Sequence, residues 1–245
     1  MFDAAQSLEK RLLLLNKMIE LDASSDNSFG VTKKQHQKLI EGVRASLAVL
    51  PVAFFEDFLR NLISQFIDEI NGKNPRVEWN LLPEKLRKSH IVDNITKFDS
   101  KKLSGETYSD YETRILNSFD IISEKVLSPK NTPRTYVLIS EIFVQTNNNP
   151  NADRVNDTFN VIGIKNVFGE RRLINKMKTF DRVFYNGDAI RFKLDSIVNR
   201  RHTVAHGRQL TGLVRQELDI DIKFIQKLAM SLQIVIRNYA KRLLK

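Results

Sequence analysis

The 245-residue sequence predicts an all-α protein, a helical bundle with a long terminal helix and an irregular, mostly helical central insertion. Three observations carry that expectation. Apolar residues recur at spacings of three and four through Val43, Leu47, Leu50, Phe54, Phe58, Leu62, Phe66 and Ile70, the stripe of one buried helix face. The same spacing returns through Leu218, Ile222, Ile225, Leu228, Leu232, Val235 and Tyr239. Only Tyr136 to Val144 is short and β-branched enough that periodicity does not separate a buried helix from a strand, and helix is the reading preferred there.

In chain order, Leu8, Leu12, Leu15 and Ile19 mark an amphipathic helix over 4–21 that stops in Ser24 to Gly30. The next helix spans about 33–70. Pro51 lies inside it and removes a backbone donor, so a kink or a break into two helices is expected there. Asn71 to Pro83, with Gly72, Pro75 and the sole Trp, reads as a connection; Pro83 suits the first position of a helix running to about Leu103. A further helix is expected from Tyr108 to Leu127, ended by the two prolines of Ser128 to Pro133. After the Asn/Pro loop at 147–151, helices are expected over 152–168 and 170–178, and Asn186-Gly187 marks a turn. Ile190, Leu194, Ile197, Val198 and Ala205 place another helix up to Gly207, a suitable glycine just past a helix end. A loop at Thr211-Gly212 precedes the last helix, about 214–244. The organisation expected is one domain over 1–245, with 75–187 as a less regular insertion.

Composition narrows the chemistry. Apolar residues at 42% and charged residues at 28% are globular proportions. With no cysteine, disulfides, Cys-based zinc sites, iron–sulfur clusters and a thiol nucleophile are excluded. Asp3 and Glu9 precede the Leu12 to Leu15 run and no small-residue cleavage site follows, so a secretory signal is not expected and the cytoplasm is the expected compartment. The longest apolar stretch, 45–55, is far short of the roughly 20 residues that span a bilayer. The formal charge is +10, and between Lys165 and Arg215 twelve Lys and Arg face four acids. Such a cluster suits a polyanion, RNA or DNA, with a solvated helical face as the plainer alternative. Lys193, Arg200 and Arg208 are the candidate RNA-binding cations. No P-loop, dinucleotide fingerprint or serine-hydrolase elbow is present, and no cofactor is expected.

His36 and His90 stand alone among polar neighbours and read as surface histidines. His202 and His206 differ, because they lie in Arg200-Arg201-His202-Thr203-Val204-Ala205-His206-Gly207. On a helix these two are about 40° apart, whereas Arg201 and His206 are about 140° apart. One helix does not focus all three on a point, but a two-fold axis setting two copies side by side lets different faces line one cleft. RNA cleavage by acid–base chemistry needs a proton shuttle near neutral pH, which imidazole supplies, and a fixed cation for the phosphate, which guanidinium supplies.

Arg201, a polar residue, three further residues and His206 make a pattern that resembles the motif of the HEPN superfamily. Gly207 and the upstream Ala53-Phe54-Phe55-Glu56-Asp57-Phe58-Leu59 resemble its RiboL-PSP-HEPN branch. The resemblance implies a HEPN-like helical bundle, a homodimer and, in active members, metal-independent endoribonuclease activity leaving a cyclic phosphate, often in a toxin or antiviral defence effector with an antitoxin or defence-system partner. It makes Arg201 the group that binds and polarises the scissile phosphate, His206 the general base or acid, and His202 a supporting residue. Glu56 is a candidate for orienting Arg201, although a Glu56–Arg60 surface pair explains it equally. Members paired with a nucleotidyltransferase antitoxin often carry Tyr two residues after the motif His; Arg208 stands there, so tyrosine adenylylation at that position is not available. Some members have lost catalysis, so a non-catalytic RNA-, nucleotide- or partner-binding module is the alternative.

Two other readings compete at the histidines. His202 and His206, four residues apart, could ligate one metal, but Thr203 stands where a zinc protease motif needs Glu and no third ligand is near in sequence. His206 also suits a helix C-terminus, where a cation is favoured by the dipole, and capping is compatible with catalysis.

Overall fold

The computed structural model describes residues 3–24, 33–98, 105, 107–122, 136–138, 149–207 and 213–245. These contain eight α-helices and no strand: α1 (Ala4–Ser24), α2 (Lys33–Gly72), α3 (Glu84–Phe98), α4 (Tyr108–Ile122), α5 (Ala152–Val161), α6 (Arg171–Lys178), α7 (Gly187–Ala205) and α8 (Arg215–Leu243). The all-α expectation holds. The loop at Thr211-Gly212 and the expected helical residues 99–103, 123–127 and 139–144 lie outside the described residues.

The chain divides into two compact units. The first takes Met1–Leu62, Thr146–Asn156 and Asn166–Ile236. Its core joins Leu8, Leu12 and Leu15 of α1, Leu47, Val52, Phe55 and Phe58 of α2, Ile190, Leu194, Ile197 and Val198 of α7, and Leu218, Ile222, Ile225, Leu228 and Leu232 of α8. Each such side chain contributes about 1.5–3 kcal/mol by leaving water, which explains how amphipathic helices hold together. Polar ties fix the register of α1: Ala5 N–H donates to the buried Gln233 at 2.8 Å, and Arg11 pairs with Asp57 at 2.8 Å. Of the two outcomes expected at Pro51, a kink or a break, the break does not occur: α2 runs through it as one helix of 40 residues. The lost donor is outweighed because Pro51 is itself buried, next to Val52 and one turn from Leu47 and Phe55.

The second unit takes Ile63–Gln145, Asp157–Lys165 and Arg237–Lys245. Trp79 forms a short 3-10 turn with Asn80 and Leu81, and Pro83 sits just outside α3, its carbonyl accepting from Arg87 N–H at 3.0 Å, rather than at the first helical position. Tyr136–Leu138 is not helical, which corrects the preference for helix at its start. The Asn71 side chain replaces a backbone partner: its Nδ2 donates to the Leu138 carbonyl at 2.8 Å and its Oδ1 accepts from Leu138 N–H at 2.9 Å. Arg76 donates to the Tyr136 carbonyl, and Tyr136 Oη donates to Val77 at 2.8 Å. Side chains thus take the place of helical partners for the Tyr136 carbonyl and for both backbone groups of Leu138. α5 ends at Val161, not 168, because Gly163 turns left-handed (φ 101°) and Ile164 N–H reaches back to Phe159 O at 2.9 Å, with Gly163 N–H on Asn160 O. A side chain at 163 would strike Tyr239 Oη and Pro83.

His90 is the clearest departure from expectation. Read as a surface residue, it is 0% exposed, its ring edge-on to Trp79 at 5.8 Å, and Trp79 in turn meets Tyr136 at 5.3 Å. Burial lowers its pKa to about 4, so the imidazole is neutral at neutral pH. Its polar sequence neighbours concealed this because the aromatic wall comes from residues 79 and 136.

Candidate active site at the end of α7

The motif lies on α7, and the first unit holds this helix from both ends. Asn186 caps the start, its side chain accepting from Ala189 N–H at 2.9 Å; the Asn186-Gly187 pair is thus a helix entry as well as a turn. Gly187 lets the backbone pack onto the turn Val167–Gly169, where any Cβ would strike the Phe168 carbonyl. Midway, Asp195 caps α5 by accepting from Ala152 N–H at 2.7 Å. At the far end Val204 is buried while the residues around it face outward.

A buried charge ties α7 to α8. Asp221 is 3% exposed; it accepts from Lys193 Nζ at 2.6 Å and from Arg200, which also reaches Glu217 at 3.1 Å. Burial pushes the Asp221 carboxyl above its ordinary pKa, opposed by its bonds with Lys193 and by the charge of Arg200. Lys193 and Arg200 stand two helical turns apart on α7, so one carboxylate clamps both and fixes the rotation of the helix. Two of the cations named for RNA are therefore engaged inside the protein. Sequence reasoning passed over Asp221. The signal was there: it stands within the apolar stripe Leu218, Ile222, Ile225, where an acid demands a partner.

α7 ends at Ala205, and His206 takes the cap position, its N–H bonding His202 O at 3.1 Å. Gly207 adopts φ 68° and closes the turn through Val204 O at 3.0 Å, as expected of a glycine past a helix end. The rings of His202 and His206 meet edge-on at 4.3 Å, and both residues are exposed. Arg201 is half-buried and leaves the helix about 100° round from His202. The structure thus brings the two imidazoles together and sends the motif guanidinium to another side. Glu56 is engaged by Arg60 at 2.6 Å, the surface-pair explanation of that residue. Arg208 lies outside the described residues.

Among the described residues no group of three or more His, Asp or Glu is placed to hold a metal ion. No helix among them is long and apolar enough to cross a membrane. Chemically, the end of α7 offers two accessible imidazoles and a guanidinium on a helix anchored below by ion pairs.

No curated protein and no solved structure matches the chain. The model of the family described as RiboL-PSP-HEPN matches residues 6–238, which takes in α1, the Phe-Phe-Glu segment of α2, the motif on α7 and most of α8. The chain belongs to the RiboL-PSP-HEPN family.

Proposed function

We propose that the protein is a metal-independent endoribonuclease in which two copies of the chain meet so that the ends of their α7 helices share one RNA cleft. HEPN-type domains are frequently ribonucleases, and the intact pair Arg201 and His206 supplies what that chemistry needs. The observation that carries the reading is the exposed His202–His206 pair, 4.3 Å between rings, one residue beyond Arg201 on a helix whose rotation is fixed by Asp221. Arg201 holds a non-bridging phosphate oxygen; His206 takes the proton from the attacking 2′-hydroxyl or gives one to the leaving 5′-oxygen, the two roles being divided between partner copies. The 2′-oxygen–phosphorus bond forms as the phosphorus–5′-oxygen bond breaks, leaving a cyclic phosphate. His202, against His206, supports its orientation. A toxin or defence role, with an antitoxin or defence-system protein as partner, belongs to the same proposal, as do a cytoplasmic location and one domain with 75–187 inserted.

The test is incubation of RNA with the native chain, Arg201→Ala and His206→Ala, scoring cleavage and binding separately, with and without chelator. Cleavage by the native chain alone, indifferent to chelator, supports the proposal. Binding by all three with cleavage by none assigns the non-catalytic, RNA-binding alternative.

A further inference from the structure

The cations beside the motif are held by Asp221, but a second set in the same unit is not. Arg171, Arg172, Lys176 and Lys178 line the outer side of α6, and Arg182 follows it; all five are exposed. The segment's acids are Glu170 and Asp181, and none of the five cations has an ion pair or a ring contact among the described residues. α6 is seated by Leu173 and Met177, both buried, so its charged side is the one turned to solvent.

Two exposed aromatic rings follow these cations in the chain. Tyr185 is 67% exposed and Phe192 78% exposed. Nearby Phe184 shows the opposite behaviour, buried against Phe224 at 5.2 Å and stacked on Phe180 at 6.1 Å, so the core here takes rings and these two are left outside it. Phe192 belongs to α7, on the exposed stripe Asp188, Phe192, Asn199, His202, and stands about 15 Å along the helix axis from His202. The turn Val167–Gly169 packs on both α6 and α7, and Arg191 of α7 lies over the Phe168 ring at 5.6 Å. The cations, the rings and the histidines therefore belong to one continuous body.

We propose that this face is a track for single-stranded RNA: Arg171, Arg172, Lys176, Lys178 and Arg182 neutralise the backbone, and Tyr185 and Phe192 stack bases on the way to the end of α7. The identity of the ligand as RNA rests on the ribonuclease reading. Exposed rings favour a single strand, because duplex bases are already stacked on one another. A second copy of the chain is disfavoured, since a two-fold contact would set five exposed cations against themselves.

The experiment measures fluorescence anisotropy of a labelled, unstructured uridine RNA of about 12 nucleotides, and of a duplex of the same length, with the full chain in the His206→Ala form so that the probe stays intact. Tyr185→Ala with Phe192→Ala is expected to weaken single-strand binding at least ~10-fold and leave duplex binding within ~2-fold. Arg171→Gln, Arg172→Gln and Lys176→Gln together are expected to lower the slope of log affinity against log salt by about 2. All five positions are exposed, and unchanged thermal melts would show that the fold is intact. Single-strand affinity unmoved by both sets overturns the track, and so does equal loss for strand and duplex. Sedimentation that shows Phe192→Ala splitting a dimer at unchanged RNA affinity assigns the face to a second copy and also overturns it. The two proposals fail separately. Cleavage by the native chain with affinity unmoved by the variants removes the track alone, while weakened affinity with no cleavage by the native chain supports the track and removes the nuclease.

Discussion

The protein keeps histidine in two opposite circumstances. In the second unit His90 is sealed against Trp79, and burial holds its pKa near 4. At the end of α7, in the first unit, His202 and His206 face solvent with their rings together and an arginine one residue away. A neutral, enclosed imidazole packs like an aromatic ring. An accessible imidazole at a helix end can meet a substrate and exchange protons with it. Composition does not distinguish the two, so the surroundings decide what each residue can do.

Removing the motif residues at the end of α7 should have the largest effect. His206→Ala is expected to slow RNA cleavage by roughly 10²–10⁴ with its melting temperature unchanged, and Arg201→Ala by ~10²–10³. His90→Leu, by contrast, should leave the cleavage rate within ~2-fold. Should His90→Leu abolish cleavage in a folded protein, the division between structural and reactive histidines collapses.

Acid sharpens the comparison from the other side. His90 has a folded pKa of about 4, below the ordinary value of 6.5, so between these values the unfolded chain binds the extra proton. Its contribution is full above about pH 6.5 and falls as the pH drops, reaching a loss of about 3 kcal/mol near pH 4. Denaturant titrations at pH 7, 5 and 4 measure this, and the native-minus-His90→Leu difference isolates it from the carboxylates. A difference that stays flat with pH would place His90 in water.

The exposed site also depends on something buried. Asp221→Asn leaves Lys193 and Arg200 without their shared carboxylate, and because both cations are about a quarter exposed the expected loss is about 2–3 kcal/mol rather than more. Chemical denaturation gives the value. The smallest effect is expected at the helix entry, where Asn186→Ala removes one cap bond and costs about 1 kcal/mol in the same assay.

Much of the fold was legible because helix formation and amphipathic burial are local. The stripe from Val43 to Ile70 and that from Leu218 to Tyr239 both became long helices, and the glycine after the motif ended α7 as its position suggested. The misreadings share one cause. Residues 136–138 are not helical and His90 is inside, each because of groups supplied from elsewhere: the Asn71 side chain and the ring of Trp79.

From the order of its residues alone, this chain was committed to helices, to chemistry without cysteine, and to an arginine and two histidines crowded at one helix end, because each depends on neighbours within a turn or two. Tertiary structure decided which charges are available. Asp221 lies more than twenty residues from Arg200 in the chain yet meets it in the fold, while among the described residues the cations of α6 have no ion pair. Ion pairing across the fold, as between Arg200 and Asp221, is a contact between surfaces, and which surfaces meet is settled only when the helices pack.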